Sequence, residues 1–320
     1  MRSIIIDADP GIDDAMAILL AGKHFNILGI TTVHGNTTVD KTTRNALKVL
    51  EFSAMTHIPV VRGSEFPLVQ PRYTAASVHG ETGLDGPDLP DPTTPVHSGH
   101  AVDFIIDTVM SKPDVTLVPI GPLTNIAMAL RQEPRLKNHI KEISLMGGST
   151  TYGNVTTAAE FNIWCDPEAA HIVFTSDVPI KMVGLNLTRQ AAATPEVIER
   201  IRNLNNQVGK IAAEMLTAYS ERLRQLFGLS GGSLHDPCAV AWLIDPSLIE
   251  SEKLYVAIEL GGEHTRGMTV CDQRGLRLPV AGISAGDGIR AGLAPNVEVG
   301  MNIDVPRFMD LLIDTLAQYP

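Results

Sequence analysis

Four carboxylates fall within eight residues near the start of the chain, in Asp7-Ala8-Asp9-Pro10-Gly11-Ile12-Asp13-Asp14. Ionised carboxylates held that closely repel one another, so either their pKa values rise or a cation neutralises them. No His or Cys accompanies them, so the ligand atoms on offer are hard oxygens, which suit calcium or magnesium better than zinc. Pro10-Gly11 can make the sharp turn that brings Asp9 and Asp14 around one ion. Helix capping competes as an explanation, because Asp is favoured at helix N-termini. It accounts for one or two of these carboxylates, not four.

Three further stretches carry chemical potential. Glu160-Phe161-Asn162, with Asn154 before it and Asp166-Pro167-Glu168 after it, offers the paired donors and acceptors that vicinal sugar hydroxyls need. A polar turn before a capped helix would read the same way. In His235-Asp236-Pro237-Cys238, Asp236 is either a ligand or an N-cap, the pattern it shares with Asp166-Pro167 and Asp245-Pro246. His235 either faces a ligand or is a buried, hydrogen-bonded histidine. Pro119-Ile120-Gly121-Pro122-Leu123-Thr124-Asn125 is a tight turn able to aim a backbone carbonyl at an ion. There is no Walker A loop, no GxGxxG after a strand and no GxSxG elbow. Asp7-Ala8-Asp9 also fits the DxD of haloacid-dehalogenase-type phosphatases, whose first Asp is a nucleophile. That reading leaves Asp13 and Asp14 without a task.

The elements that must position these residues follow from hydrophobic patterning. Strands are expected at Ile4–Ile6, Ile27–Val33, Pro59–Val61, Val115–Ile120, Ile143–Met146 and Ile180–Gly184. Helical patterns intervene at Asp13–Lys23, Asp40–Phe52, Ala101–Met110, Leu123–Leu130 and Glu168–Phe174. Such alternation specifies an α/β fold with a mostly parallel central sheet flanked by helices. The acidic loop then lies at the carboxyl end of the first strand, where open α/β sheets bind ligands. Further on, Thr194-Pro195 reads as a cap and first helical residue, and Leu254–Leu260 and Val297–Ile303 alternate like antiparallel strands. Gly63–His100, with six prolines and the run His79-Gly80-Glu81-Thr82-Gly83-Leu84-Asp85-Gly86, reads as a long functional loop. Arg274–Asn296, with five glycines, reads as a surface insertion. No composition break or internal repeat divides the chain, so residues 1–320 are expected to form a single domain.

With 320 residues, 44% of them hydrophobic, the chain can bury a large core. Its net charge of −11 disfavours phosphate backbones and anionic lipid, so neither nucleic acid nor membrane is an expected partner. Three scattered cysteines make no disulfide framework, and the three-residue apolar run near Met1 is too short for a signal-peptide core. These features point to a cytoplasmic protein.

Taken together, the motifs resemble the nucleoside hydrolase family, the inosine-uridine-preferring N-ribohydrolases. The resemblance runs nearly end to end, through Asp7–Ala15, Gly35-Asn36, His79-Gly80-Glu81, Gly121–Asn125, Met146-Gly147-Gly148, Gly153-Asn154, Ala159–Asn162, Asp166–Ala170 and His235-Asp236-Pro237. It implies calcium-dependent hydrolysis of ribonucleosides to ribose and free base, in nucleoside salvage, by a homo-oligomer (dimer or tetramer). It also implies site roles. Asp9, Asp14, Asp236 and the Ile120 carbonyl would bind Ca2+, with Asp9 also the general base. Asp13, Asn36 and Asn162 would hold the ribose 2′- and 3′-hydroxyls, and Asn154 and Glu160 the 5′-hydroxyl. Asp7 would support the loop. His79 and His235 would face the base, with His235 the proton donor. His79, His235 and the 79–86 run lean toward pyrimidines or a broad inosine-uridine profile. Phe227 stands where some pyrimidine-preferring relatives carry a tyrosine, and Tyr219 is a substitute whose place the sequence does not fix. A magnesium-dependent phosphohydrolase and a non-catalytic nucleoside-binding protein are the alternatives. The intact Asp9, Asp14 and Asp236 argue against the second.

Overall fold

β1 (Ser3–Ala8) is apolar toward both sides. Ile4, Ile6 and Ala8 enter one core and Ile5 the other. A strand loaded in this way must be covered on both faces, and it therefore takes the middle of the sheet. In a computed structural model describing residues 1–228, 231–274 and 293–320, β1 pairs in parallel with β2 (Asn26–Thr32) and with β4 (Val115–Pro119). β3 (Val60–Arg62) lies outside β2. Beyond β4 come β5 (Ile140–Met146), β6 (Ile180–Val183), then Val297–Ile303 and Ile249–Leu254. Among the described residues two small ribbons complete the strands. One joins β7 (Ala192–Ala193) to β8 (Gly232–Ser233), and the other joins β10 (Val256–Ile258) to β11 (Thr269–Cys271). With Ile249–Leu254 as β9 and Val297–Ile303 as β12, the large sheet runs β3-β2-β1-β4-β5-β6-β12-β9, and its one antiparallel pairing is β12 with β9.

Among the described residues the helices are α1 (Ile12–His24), α2 (Val39–Phe52), α3 (Ala76–His79), α4 (Ala101–Ser111), α5 (Thr124–Gln132), α6 (Phe161–Cys165), α7 (Pro167–Phe174), α8 (Leu185–Thr188), α9 (Pro195–Arg202), α10 (Gln207–Phe227), α11 (His235–Ile244) and α12 (Val305–Leu316). One core joins α1, α2, α9, α10, α11 and α12 to the sheet, and the other joins α4, α5 and α7. α1 is buried from Ile12 through Ala21, packed against α11. Its acidic first turn is thereby drawn indoors by the apolar residues that follow it. Thr194 caps α9 by accepting from the Val197 N–H, as its sequence required. No helix among the described residues is long and apolar enough to cross a membrane.

One expected strand divides. Leu254–Leu260 does not run as one strand beside β12, because the Asn296 side chain bonds both the Val256 N–H (2.8 Å) and the Val256 carbonyl (3.0 Å). The ladder with β12 ends at Leu254, and β10 turns away to meet β11. Gly63–His100 holds only the short α3 and a single bridge at His97, and is otherwise irregular. Within Arg274–Asn296, residues 275–292 lie outside those described.

From β1 the chain steps through β2 to β3 in one direction, and from β4 through β5 to β6 in the other. The connections at the carboxyl ends of β1 and β4 therefore diverge and leave a crevice, the usual ligand position in such sheets.

Candidate active site

The crevice is lined first by the turn from β1 into α1. Asp14 accepts from the Gly11 N–H (2.9 Å) and the Asp9 N–H (3.2 Å), so it caps the helix. Capping thus explains one carboxylate of the four. Asp7 lies beneath, accepting from Thr31 Oγ1 (2.6 Å) and Asn125 Nδ2 (2.8 Å) through one oxygen. Asp9 is wedged between the loops that follow β2 and β4, and a Cβ on either Gly35 or Gly121 would collide with its carboxylate. Its Oδ2 accepts from the Asn36 N–H at 2.6 Å, while its buried Oδ1 has no hydrogen-bond partner.

Asp236 is not the cap of its helix. α11 begins at His235 with Leu234 at the cap position, and this places Asp236 in the first turn beside Asp13 and Asp14. Carboxylate oxygens of Asp13, Asp14 and Asp236 all lie within 4.8 Å of one another. The close trio therefore contains Asp13, expected at the ribose, and not Asp9, expected among the ion ligands. Burial pushes every one of these acids up, Asp7 to about 7, Asp13 to about 8 and Asp14 to about 6. Asp9 and Asp236 are also raised well above the carboxylate range, by burial and then by neighbouring carboxylates. A hard-oxygen set of this kind, with an unpartnered Asp9 Oδ1, fits a divalent cation.

On the opposite wall Glu160 caps α6. It accepts from the Asn162 (2.9 Å), Gly148 (2.9 Å) and Ile163 (3.1 Å) N–H groups, while burial raises its pKa. Asn162 donates to the Ile120 carbonyl at 2.8 Å and the Met146 carbonyl at 3.2 Å. The Ile120 oxygen keeps a second lone pair for an ion. Asn154 accepts from the Phe161 N–H (2.9 Å). Asn36 donates to the Asp9 carbonyl (3.0 Å) and to Asp14 (3.2 Å), so it braces the acidic loop as well as facing the crevice.

These walls enclose a cavity of about 640 Å³ whose lining includes Asp9, Asp13, Asn36, Ile120, Asn154, Glu160, Asn162, His235 and Asp236, with Asp14 behind. The volume suits a small organic ligand. His235 holds Thr188 Oγ1 at 2.7 Å through Nδ1, and burial together with the Arg189 charge lowers its pKa to about 4. It is neutral at pH 7. His79 closes α3, and its side chain lies outside the described residues.

Residues 4–310 match the model of the inosine-uridine preferring nucleoside hydrolases. The chain belongs to this family. A pyrimidine-specific ribonucleoside hydrolase of Shewanella woodyi is 44% identical, with 99% of each chain covered. One from Escherichia coli is 41% identical over 99% of this chain and 98% of its own. Among solved structures, a purine-preferring ribonucleoside hydrolase from Gardnerella vaginalis superposes with a TM-score of 0.88 at 33% identity, covering 99% of this chain and 98% of its own. A plant nucleoside hydrolase superposes equally well, at 0.88 and 33%, with 99% of each chain covered. This nucleoside hydrolase is accordingly an enzyme, with the mostly parallel α/β fold its sequence specified.

Of the further lining residues of this nucleoside hydrolase, Phe227 and the unplaced Tyr219 were named from the sequence, whereas Leu223, Tyr73 and Trp164 were not. Tyr219, Leu223 and Phe227 of α10 recur every four residues and so present one helical face to the cavity. That fixes the place of Tyr219, buried with Asp13, Asp236 and Asp14 acting on its hydroxyl, while Phe227 stands 63% exposed at the mouth. Tyr73 and Trp164 pack ring to ring at 4.3 Å on another side. The four-residue period of α10 and the position of Trp164 two places after Asn162 were the available signals. The run after His79 serves α10 rather than the cavity. Asp85 pairs with Arg222 at 2.9 Å, and the lining from this long loop comes from Tyr73–Ala75 and Ser77-Val78.

Proposed function

We propose that the enzyme cleaves the N-glycosidic bond of ribonucleosides, yielding ribose and free base in nucleoside salvage, with calcium as its metal. Uridine and inosine are the expected substrates, in keeping with the pyrimidine-specific and purine-preferring relatives. The observation that carries this reading is the buried group of Asp9, Asp13, Asp14 and Asp236 opening onto a cavity shared with Asn36, Asn154, Glu160 and Asn162.

Asp14, Asp236, the Ile120 carbonyl and Asp9 would hold the ion, with Asp13 in direct reach of the same centre. Calcium bound there would neutralise the carboxylates and make water at the site more acidic. Asp9 Oδ1, unpartnered and aimed away from the Asn36 N–H, takes the proton of the attacking water. The oxocarbenium-like sugar of the transition state gains from the surrounding negative charge. Asp13, Asn162 and Asn36 hold the ribose 2′- and 3′-hydroxyls, and Asn154 and Glu160 the 5′-hydroxyl. Because His235 is neutral, its role is that of a hydrogen-bond donor to the departing base. That role requires the Nε2–H tautomer, in which the Thr188 hydroxyl donates to Nδ1 across their 2.7 Å contact. The family resemblance also assigns His79 to the base.

A panel of uridine, cytidine, inosine and a nitrophenyl phosphate, assayed for free ribose and free phosphate with calcium present, tests the reading. Ribose release from the nucleosides is expected. Phosphate release without ribose release would overturn it.

A further inference from the structure

The segment that follows β5 carries Asn154, and its conformation is held from outside itself. At its root the Leu185 N–H bonds the Gly148 carbonyl (2.8 Å), and the Thr150 N–H bonds Asn186 Oδ1 (3.2 Å). At its tip stands Arg189, the residue immediately after α8. Its guanidinium donates to the Tyr152 carbonyl (3.1 Å) and the Gly153 carbonyl (2.7 Å), and lies 3.8 Å over the Tyr152 ring. A planar cation suits this task, since one fork reaches two carbonyls while its face stacks on an aromatic. Gly153 is packed too tightly against the Thr156 and Ala159 carbonyls to carry a Cβ. The peptide bonds just before Asn154 are thus fixed on both sides, and Arg189 itself lines the cavity.

We propose that Arg189 is a positioning residue that clasps the Ser149–Ala159 loop and so sets the recognition of the sugar 5′-hydroxyl by Asn154. The inference rests on the ribohydrolase reading above. A site that hydrogen-bonds a substrate hydroxyl discriminates strongly against an analogue lacking it, provided the partner is held in place. Releasing the clasp removes that discrimination and leaves the acidic centre in place, and Arg189→Lys keeps the positive charge that acts on His235.

The test compares wild type, Arg189→Met and Arg189→Lys on uridine and 5′-deoxyuridine with calcium present, alongside amide hydrogen exchange. Arg189→Met is expected to lower kcat/KM for uridine roughly 10-fold or more, mainly through KM, and to change that for 5′-deoxyuridine by less than about 3-fold. Arg189→Lys should fall between, because an ammonium lacks the fork. Exchange across residues 150–156 should quicken in Arg189→Met while the sheet is unchanged. Equal slowing of both substrates, or unaltered exchange across 150–156, would overturn the proposal. Failure of wild type to release ribose from any nucleoside would sink the ribohydrolase reading instead, and the exchange comparison would still decide the clasp.

Discussion

Asp9 is the residue whose surroundings are most specific. One oxygen is taken by the Asn36 N–H, and the other is buried and unpartnered. Asp9→Asn preserves volume but removes a base and a charge, so turnover on uridine should fall at least roughly 10²-fold with the fold intact by circular dichroism. Near-normal turnover would assign the base elsewhere. Recognition of the sugar gives a second expectation. Asp13 and Asn162 would be left with unmet partners by a missing 2′-hydroxyl, so uridine should exceed 2′-deoxyuridine by orders of magnitude in kcat/KM. Comparable values would remove both residues from that role. At this scale the sequence was legible where chemically distinctive types sit close together, as in Asp7–Asp14 and Glu160–Asn162. Arg189 was not legible and Tyr219 could not be placed, because their residue types are ordinary and only the folded chain brings them to the cavity. The nearness of Asp13 to Asp14 and Asp236 was hidden for a similar reason, since helix phase and the approach of α11 decide which carboxylates meet.

Elements place these residues by converging on them. Gly35 and Gly121 belong to different connections, yet both press on the same carboxylate. Gly121→Ala should displace Asp9 and depress turnover while lowering thermal stability only modestly, as activity and Tm measured together would show. Unchanged activity would mean that the loops yield freely. Deeper down, His34 links three connections. Its Nε2 meets Thr124 Oγ1 (3.1 Å), Thr124 donates to Asp166 (2.7 Å), and Asp166 also accepts from the Leu68 N–H (2.9 Å). Since the Thr124 proton goes to Asp166, Nε2 must be the donor, and the buried Nδ1 has no partner. Burial, then the Arg72 charge, holds this imidazole at about 4 instead of 6.5. The folded state therefore binds fewer protons than the unfolded one below pH 6.5. Stability from this group is complete above 6.5 and is lost as pH falls toward 4, by about 3 kcal/mol at most. Wild-type Tm should drop more steeply between pH 6.5 and 4.5 than that of His34→Gln, and parallel curves would refute the assignment. Most element positions were legible from periodicity. The end of β9 was not, because it depends on the side chain of Asn296, some 40 residues away in sequence.

Across the whole molecule the acidic centre is a stability term of opposite sign. Asp7, Asp13 and Asp14 have folded pKa values of about 7, 8 and 6, far above 3.8. Their favourable contribution is complete below pH 3.8 and is lost as pH rises through 6 to 8. Calcium cancels that loss by compensating the charge, so the Tm gained on adding calcium to chelated protein should grow from pH 5.5 to pH 8. A gain that is absent, or that shrinks with pH, would contradict a cation at this centre. A ligand site at the carboxyl end of β1 was legible as soon as β1 was read as the first of several parallel strands. The strand order that makes it a crevice came only from the pairing.

The central place of β1 also governs the order in which the molecule can assemble. It precedes the other strands of the sheet in the chain, yet Ile4 must await Thr116 to gain its second neighbour, and Asp13 must await Asp236. Contacts so distant along the chain are closed late and slowly. A nascent or refolding chain can therefore hold much of its sheet before any part of it is an enzyme, and the return of ribose release after dilution from denaturant should lag behind the return of helical circular dichroism.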